Sequence, residues 1–227
     1  MSTLADNLLT IGASIKEYAE CYQRKTKDIQ LLAVSKHHSV QKIEEAFNLG
    51  QTSFGENYVQ ELLEKARQLS HLDLEWHFIG PLQSNKTKMI AETVDWVHTI
   101  DRLKIAERLN RQRPENLDAI NVCIQVNISN EASKSGVLAS DVEALATEIE
   151  KLPQLKLRGL MAIPAPQTDF NKQRKEFSKL ALLKQGLNIK GFKLDTLSMG
   201  MSADSEAAIA EGATIIRIGT RIFGARE

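Results

Sequence analysis

Eight short runs of β-forming residues alternate with amphipathic stretches along this chain, and this alternation limits the possible folds more than any other feature. The runs are residues 31–35, 52–55, 74–80, 96–100, 121–128, 155–163, 195–198 and 214–219. Strands that alternate with helices within 227 residues predict parallel β–α–β units in one sheet. The pattern favours two architectures, a closed (β/α)₈ barrel and an open doubly wound sheet.

The stretches between the runs carry helix start and stop signals. Ser39 can cap a helix that stops at Gly50, and Ser202 can cap another that stops at Gly212. Apolar residues at three- and four-residue steps predict an amphipathic helix within residues 1–24. Few residues follow the eighth run, so we expect this N-terminal helix to pack on the barrel where a last helix would lie.

The two faces of the fifth and eighth runs distinguish the two architectures. Residues of the run 121–128 alternate between aliphatic positions and Cys123, Gln125 and Asn127, and Arg217 lies between two isoleucines. An open sheet covered by helices on both sides is apolar on both faces, whereas a barrel strand turns one face inward. We therefore predict an α/β fold, a single (β/α)₈ TIM barrel domain over residues 1–227 with an extra N-terminal helix. Arg217 is expected inside the barrel.

Composition and charge exclude several classes of protein. Lys plus Arg equals Asp plus Glu at 29 each, so no bulk charge indicates nucleic acid as a partner. No apolar segment reaches the ~18 residues of a membrane span, and the N-terminus lacks a signal-peptide pattern. Cys21 and Cys123 lie far apart without metal-ligand spacing. We expect a cytoplasmic protein with a buried free thiol at Cys123, and with no metal site and no nucleic-acid or membrane partner.

Lys36 directly follows the apolar run 31–35, where barrel enzymes place their reactive groups. A partly desolvated amine at this position has a lowered pKa and can attack an aldehyde. The alternative is a solvated lysine at a strand end.

The segments after the seventh and eighth runs predict a phosphate site. Barrels often bind phosphate between these two loops with backbone N–H groups. Ser202 and Thr220 supply hydroxyl groups there, and Gly219 allows close approach of the backbone. Alternatively, Ser202 is only a helix cap and the Gly219–Thr220 pair only a turn.

Arg217 needs an acceptor if it lies inside a barrel, because arginine is almost never fully buried without a partner. The pyridine nitrogen of pyridoxal 5′-phosphate (PLP) would be one such acceptor. A structural salt bridge to a carboxylate of the barrel is the alternative.

Six motifs together resemble the PLP homeostasis protein family, formerly called the proline synthetase co-transcribed homologues. They are Ala33-Val34-Ser35-Lys36, Phe54-Gly55-Glu56-Asn57-Tyr58, Trp76-His77-Phe78-Ile79-Gly80 with Leu82-Gln83-Ser84-Asn85-Lys86, Arg158-Gly159-Leu160-Met161, Ser198-Met199-Gly200-Met201-Ser202 and Arg217-Ile218-Gly219-Thr220. The resemblance runs from about Leu31 to Arg226 and implies a barrel similar to the N-terminal domain of alanine racemase.

The resemblance also implies how PLP is held. Lys36 would carry PLP as a Schiff base, Arg217 would face the ring nitrogen, and the remaining binding residues would be Ser202, Gly219 and Thr220 at the phosphate and Asn57 and His77 near the ring. Taken alone, a histidine in an apolar strand such as His77 is more often a hydrogen-bonded core residue.

For function, the resemblance implies a PLP-binding protein of intracellular vitamin B6 homeostasis and amino- and keto-acid balance, without a catalytic reaction. A guanidinium cannot protonate the ring nitrogen as an acid would, and we expect no second domain that would supply an opposing base for racemisation. We therefore assign no catalytic residue and predict a monomeric PLP carrier or regulator, with PLP-dependent apo-enzymes as partners. The alternatives are a weak amino-acid racemase or lyase, and an aldolase-like enzyme that uses Lys36.

Overall fold

A closed barrel of eight parallel strands forms the centre of the computed structural model, which describes residues 3–129 and 135–224. The strands follow one another around the barrel in chain order: β1 Gln30–Val34, β2 Ser53–Glu56, β3 Glu75–Phe78, β4 Trp96–Ile100, β5 Ile120–Gln125, β6 Leu155–Met161, β7 Thr196–Ser198 and β8 Ile215–Ile218. Each strand overlaps the run predicted for it. The predicted (β/α)₈ barrel is confirmed.

Helices surround the barrel and include the predicted N-terminal one. The described α-helices are α1 Leu4–Cys21, α2 Val40–Asn48, α3 Val59–Gln68, α4 Thr87–Ala91, α5 Leu103–Gln112, α6 Val142–Ile149, α7 Phe170–Ile189, α8 Ser205–Ala210 and α9 Thr220–Phe223. Helix α1 contacts α8 and α9, and the side-chain amide of Asn7 donates to the Ile222 carbonyl at 2.8 Å. Among these residues no helix is both long and apolar enough to cross a bilayer.

Apolar side chains form two separate cores, as the alternating faces of the strands predict. The larger core lies between the strands and the helices and takes Val122 and Ile124 from β5. The smaller core lies inside the barrel and takes Cys123 from the other face of the same strand. Cys123 is a fully buried free thiol, as expected, and burial raises its pKa to about 12.

One of the two predicted helix caps is confirmed and the other is wrong. Ser39 accepts a hydrogen bond from the Lys42 amide and precedes α2. Ser202 does not cap α8, which begins at Ser205 after Asp204. The Asp204 carboxylate accepts from the Met201 amide at 2.6 Å and closes a turn over residues 201–204. Because this turn holds Ser202, the helix starts two residues later than predicted.

Candidate functional site

Five of the seven predicted site residues follow strand ends at the carboxyl end of the barrel. Lys36 follows β1, Asn57 follows β2, Ser202 follows β7, and Gly219 and Thr220 follow β8. Strand β1 pairs with both β2 and β8, so these loops are neighbours at the mouth. The other two residues, Arg217 and His77, lie within β8 and β3.

The segment that carries Lys36 is a tight turn. The His38 amide donates to the Ser35 carbonyl at 3.0 Å, which makes Lys36 and His37 the central residues. His37 has φ of 64°, a left-handed conformation that is uncommon for residues with a Cβ atom. The two histidine rings of this turn pack on neighbouring segments. The ring centroids of His37 and Tyr58 are 5.1 Å apart, and those of His38 and Phe223 are 4.9 Å apart. Conformations of this kind persist where the surroundings fix them, often at functional sites.

A buried ion cluster fixes both sides of this turn. Lys65 Nζ, from α3, lies 2.7 Å from Glu56 Oε1 and 2.6 Å from Glu61 Oε1, and it donates to the Ser35 carbonyl at 2.7 Å. The Ser35 hydroxyl donates to Glu56 at 2.7 Å, and the His37 amide donates to Glu61 at 2.5 Å. Burial raises the pKa of Glu56, and the charge of Lys65 opposes that rise. The residues on either side of Lys36 are thus held by one cluster.

Arg217 lies inside the barrel with its guanidinium bound only to neutral groups among the described residues. It is 4% exposed and donates to Ser198 Oγ at 2.8 Å and to the Ala162 carbonyl at 3.1 Å. Burial lowers its pKa to about 10, and the charge of Asp204 opposes this. The barrel carboxylate that would make Arg217 a structural salt bridge is therefore not found in the described part of the chain. A buried cation with neutral partners still favours an acceptor from a ligand.

A chain of buried polar side chains continues from Arg217 toward the opposite end of the barrel. Ser198 Oγ lies 2.7 Å from His98 Nδ1, His98 Nε2 lies 2.8 Å from His77 Nδ1, and His77 Nε2 lies 2.9 Å from Glu75 Oε2. His77 is fully buried and is a hydrogen-bonded core residue, the ordinary role for a histidine in an apolar strand. Its predicted place near the ring of a cofactor stays a prediction.

Asn57 presents an unused acceptor at the mouth. Its Oδ1 atom is buried and lacks a hydrogen-bond partner within residues 3–129 and 135–224. A Cβ atom on Gly80 would lie 2.0 Å from the Asn57 carbonyl oxygen, so only glycine lets the loop after β3 pack on this loop. A cavity of about 630 Å³ opens beside Asn57 and is also lined by Tyr58, Gln83 and Lys86. A buried acceptor without a partner is uncommon in proteins, so this amide oxygen needs a donor.

The loops after β7 and β8 each pack on a neighbouring strand. The Arg217 amide donates to the Gly200 carbonyl at 3.0 Å. A Cβ atom on Gly219 would lie 3.0 Å from the Val34 carbonyl oxygen, which places the start of α9 against the end of β1. The side-chain hydroxyls of Ser202 and Thr220, two of the residues predicted to bind phosphate, make no hydrogen bond to any described residue.

The sequence did not predict the ion cluster, nor the part of the polar chain formed by His98 and Glu75. Glu61 and Lys65, four residues apart on α3, form an i,i+4 pair that can be read from the sequence. The contact of Lys65 with Glu56, the last residue of β2, depends on how α3 packs on that strand. The alternation of faces also places His98 inside the barrel, but nothing local indicates that it meets His77 and Ser198.

Comparisons with known proteins agree with this geometry. A family model described as the alanine racemase N-terminal domain matches residues 12–227. The pyridoxal phosphate homeostasis protein of Pseudomonas aeruginosa is 53% identical over 227 residues, which cover 100% of this chain and 97% of that protein. The protein of the same name from Escherichia coli is 51% identical over 230 residues, with 100% and 98% covered.

Solved structures give the same family and the same fold. PipY of Synechococcus elongatus, solved with PLP bound, is 38% identical with a TM-score of 0.81, covering 92% of this chain and 100% of PipY. The alanine racemase of Clostridium difficile is 16% identical with a TM-score of 0.75, covering 98% of this chain and 56% of the racemase; this likeness concerns the fold alone. The chain belongs to the alanine racemase N-terminal domain family and, within it, to the pyridoxal phosphate homeostasis proteins.

Proposed function

We propose that this chain binds PLP at the carboxyl end of the barrel, covalently through Lys36, and serves in PLP homeostasis without catalysing a reaction. The observation that carries the proposal is Arg217, a buried cation whose described partners are a hydroxyl and a carbonyl group. The ring nitrogen of PLP would accept a hydrogen bond from it. PipY, a relative with the same fold, has been solved with PLP bound.

The other groups at the mouth fit the remaining parts of the cofactor. The Ser202 and Thr220 hydroxyls would donate to the phosphate, and Gly219 would allow its approach to the backbone. The Asn57 Oδ1 atom, buried without a described partner, would accept a donor near the ring. The turn held by the Lys65 cluster would keep the Lys36 amine oriented toward the mouth.

Arg217 supports a carrier more than a catalyst. When bound, PLP draws electrons from a substrate through its ring, and does so best when the ring nitrogen is protonated. A guanidinium donates hydrogen bonds but, with a pKa of about 10, retains its proton at neutral pH. Arg217 would therefore orient the ring without activating it. The partners proposed beyond PLP, PLP-dependent apo-enzymes, as well as the monomeric state and the cytoplasmic location, stay predictions from the sequence.

The test is the behaviour of the purified protein. We expect a yellow protein that borohydride bleaches, that donates PLP to an apo-enzyme, and that exchanges the α-proton of L-alanine in deuterated buffer no faster than free PLP does. Saturable exchange well above that rate, abolished by Lys36→Ala, would identify a weak racemase or lyase instead. A colourless protein that gains no absorption with added PLP would favour the aldolase-like alternative and contradict the proposal.

A further inference from the structure

Five polar side chains cross the barrel interior from the mouth to the opposite end. They come from four strands: Arg217 from β8, Ser198 from β7, His98 from β4, and His77 and Glu75 from β3. Every link lies between 2.7 and 2.9 Å. The three middle side chains are fully buried, whereas Glu75 lines a cavity of about 560 Å³ at the amino end of the strands.

Arg217, at the mouth end of this hydrogen-bond chain, fixes the direction of the hydrogen bonds. Arginine can only donate, so Ser198 Oγ accepts from Arg217. The serine hydroxyl then has one proton to donate, and among the described residues His98 Nδ1 is its acceptor. This requires the proton of His98 to sit on Nε2.

The Glu75 end of this hydrogen-bond chain is compatible with the same direction. Hydrogen bonds from His77, Ser53 and Trp96 outweigh the effect of burial and lower the pKa of Glu75 to about 2, so its carboxylate only accepts. His77 Nε2 then donates to Glu75, and His77 Nδ1 is the atom that accepts from His98 Nε2. Burial lowers the pKa of His98 well below its usual range, and the positive charge of Arg217 adds to this, so His98 stays neutral.

Reversing the chain leaves a donor without an acceptor. If His98 carried its proton on Nδ1, Ser198 would accept from both His98 and Arg217. Its own hydroxyl proton would then have no acceptor among the described residues. A buried polar hydrogen without a partner costs about 1–3 kcal/mol, so the one-way arrangement is favoured.

We infer that Ser198, His98, His77 and Glu75 are positioning residues that form a one-way hydrogen-bond chain and hold the Arg217 guanidinium in a single orientation. The cation at the mouth and the carboxylate at the opposite end orient every donor between them. The consequence for the cofactor rests on the proposed function, since Arg217 would present its remaining N–H groups to the ring nitrogen of PLP. The hydrogen-bond chain is made by the protein's own side chains and does not depend on PLP.

The first test uses the cofactor-free protein and histidine nitrogen NMR. We expect His77 and His98 to carry a proton on Nε2 and none on Nδ1, as the direction of the hydrogen bonds requires. Exposed His71 supplies the signals of a solvent-exposed imidazole for comparison. An Nδ1-protonated tautomer or an imidazolium at either buried position would overturn the inference, even if PLP binds.

The second test breaks the chain at its centre. In His98→Phe the Arg217 side-chain N–H signals should broaden or disappear in the cofactor-free protein. The PLP dissociation constant should rise about 5- to 100-fold, with a shifted visible absorption maximum. Ser198→Ala should give the same changes with less risk to folding, and His71→Phe is the matched control.

The outcomes separate the two proposals. If the wild-type protein fails to bind PLP, the proposed function is contradicted. The histidine tautomers and the Arg217 signals then still test the hydrogen-bond chain. Retained Arg217 signals in both chain variants, or unchanged PLP affinity and absorption in a wild type that binds PLP, would overturn the positioning role.

Discussion

The two ends of the barrel differ in whether their polar side chains are hydrogen-bonded within the protein. At the amino end of the strands, Arg158 makes a two-pronged pair with Asp195, at 2.7 and 3.0 Å. Arg113 donates to three backbone carbonyl groups between 2.7 and 2.9 Å. At the carboxyl end, the Ser202 and Thr220 hydroxyls have no described partner. The two arginines at the amino end are bound within the protein, whereas among the described residues the two hydroxyls at the carboxyl end are not, as the proposed phosphate site requires.

The turn that carries Lys36 is a part of the mouth that the protein's own groups do hold in place. The turn that carries Lys36 holds His37 at positive φ, and three side chains of the Lys65 cluster tie the residues beside Lys36 in place. The stabilising interactions at the mouth thus surround Lys36 and support its position. This contrast predicts that substitutions at the amino end reduce stability and that substitutions at the mouth reduce PLP binding.

The largest expected effect is loss of stability in Arg113→Met. The substitution leaves three carbonyl acceptors without a charged donor and should lower the free energy of unfolding by about 3–5 kcal/mol. Urea denaturation measures this, and titration of the folded variant should give wild-type PLP affinity. Exposed Arg111→Met, two residues earlier, is the matched control and should change neither quantity. Weakened PLP binding at wild-type stability would contradict the division between the two ends.

Ser202→Ala and Thr220→Val should have the opposite effect. Each removes a hydrogen bond to a charged phosphate and should weaken PLP binding by about 1.5–3 kcal/mol, with little change in urea denaturation. Pyridoxal without phosphate should bind poorly, and nearly equally to the variants and the wild type. Exposed Ser140→Ala controls for loss of a hydroxyl. Wild-type PLP affinity in both variants would mean that the phosphate binds elsewhere.

A smaller effect is expected on how the free energy of unfolding depends on pH in acid. The pKa of Glu75 falls from 4.5 to about 2 in the folded protein, so its contribution is present above about pH 4.5 and is lost as pH falls toward 2. In this window the free energy of unfolding falls as the pH falls, and Glu75→Gln should make that slope shallower. The change should be less than ~1.4 kcal/mol per pH unit, the slope that uptake of one whole proton on unfolding would give. Solvent screening reduces the effect, because the side chain is 36% exposed. An unchanged slope would show that Glu75 has the same pKa folded and unfolded.

Periodicity predicted what depends on strand faces. The inward position of Arg217 follows from the alternation of side chains along a strand, and the burial of Cys123 follows from the apolar run around it. The cap at Ser39 was also readable, because its signal is local. Ser202 failed as a cap because Asp204, two residues on, binds the Met201 amide and competes for the same turn.

The partners inside the barrel were beyond reach of sequence reasoning. Ser198 and His98 are 100 residues apart, and His98 and His77 are 21 apart. Their contacts depend on the relative height of side chains on different strands, which barrel closure and shear determine. Register shifts in the pairing of β4 with β5 and of β5 with β6 change these heights further. Local propensity carries no information about them.

The attachment of PLP to Lys36 is the central claim, and peptide mapping after borohydride reduction tests it most directly. Reduction of the PLP-loaded wild-type protein fixes the cofactor on the amine that holds it. We expect a stoichiometric pyridoxyl mass on the peptide that contains Lys36, and none on the peptide that contains Lys65, whose amine is bound by two carboxylates. A stoichiometric tag on another lysine, with Lys36 unmodified, would contradict the account.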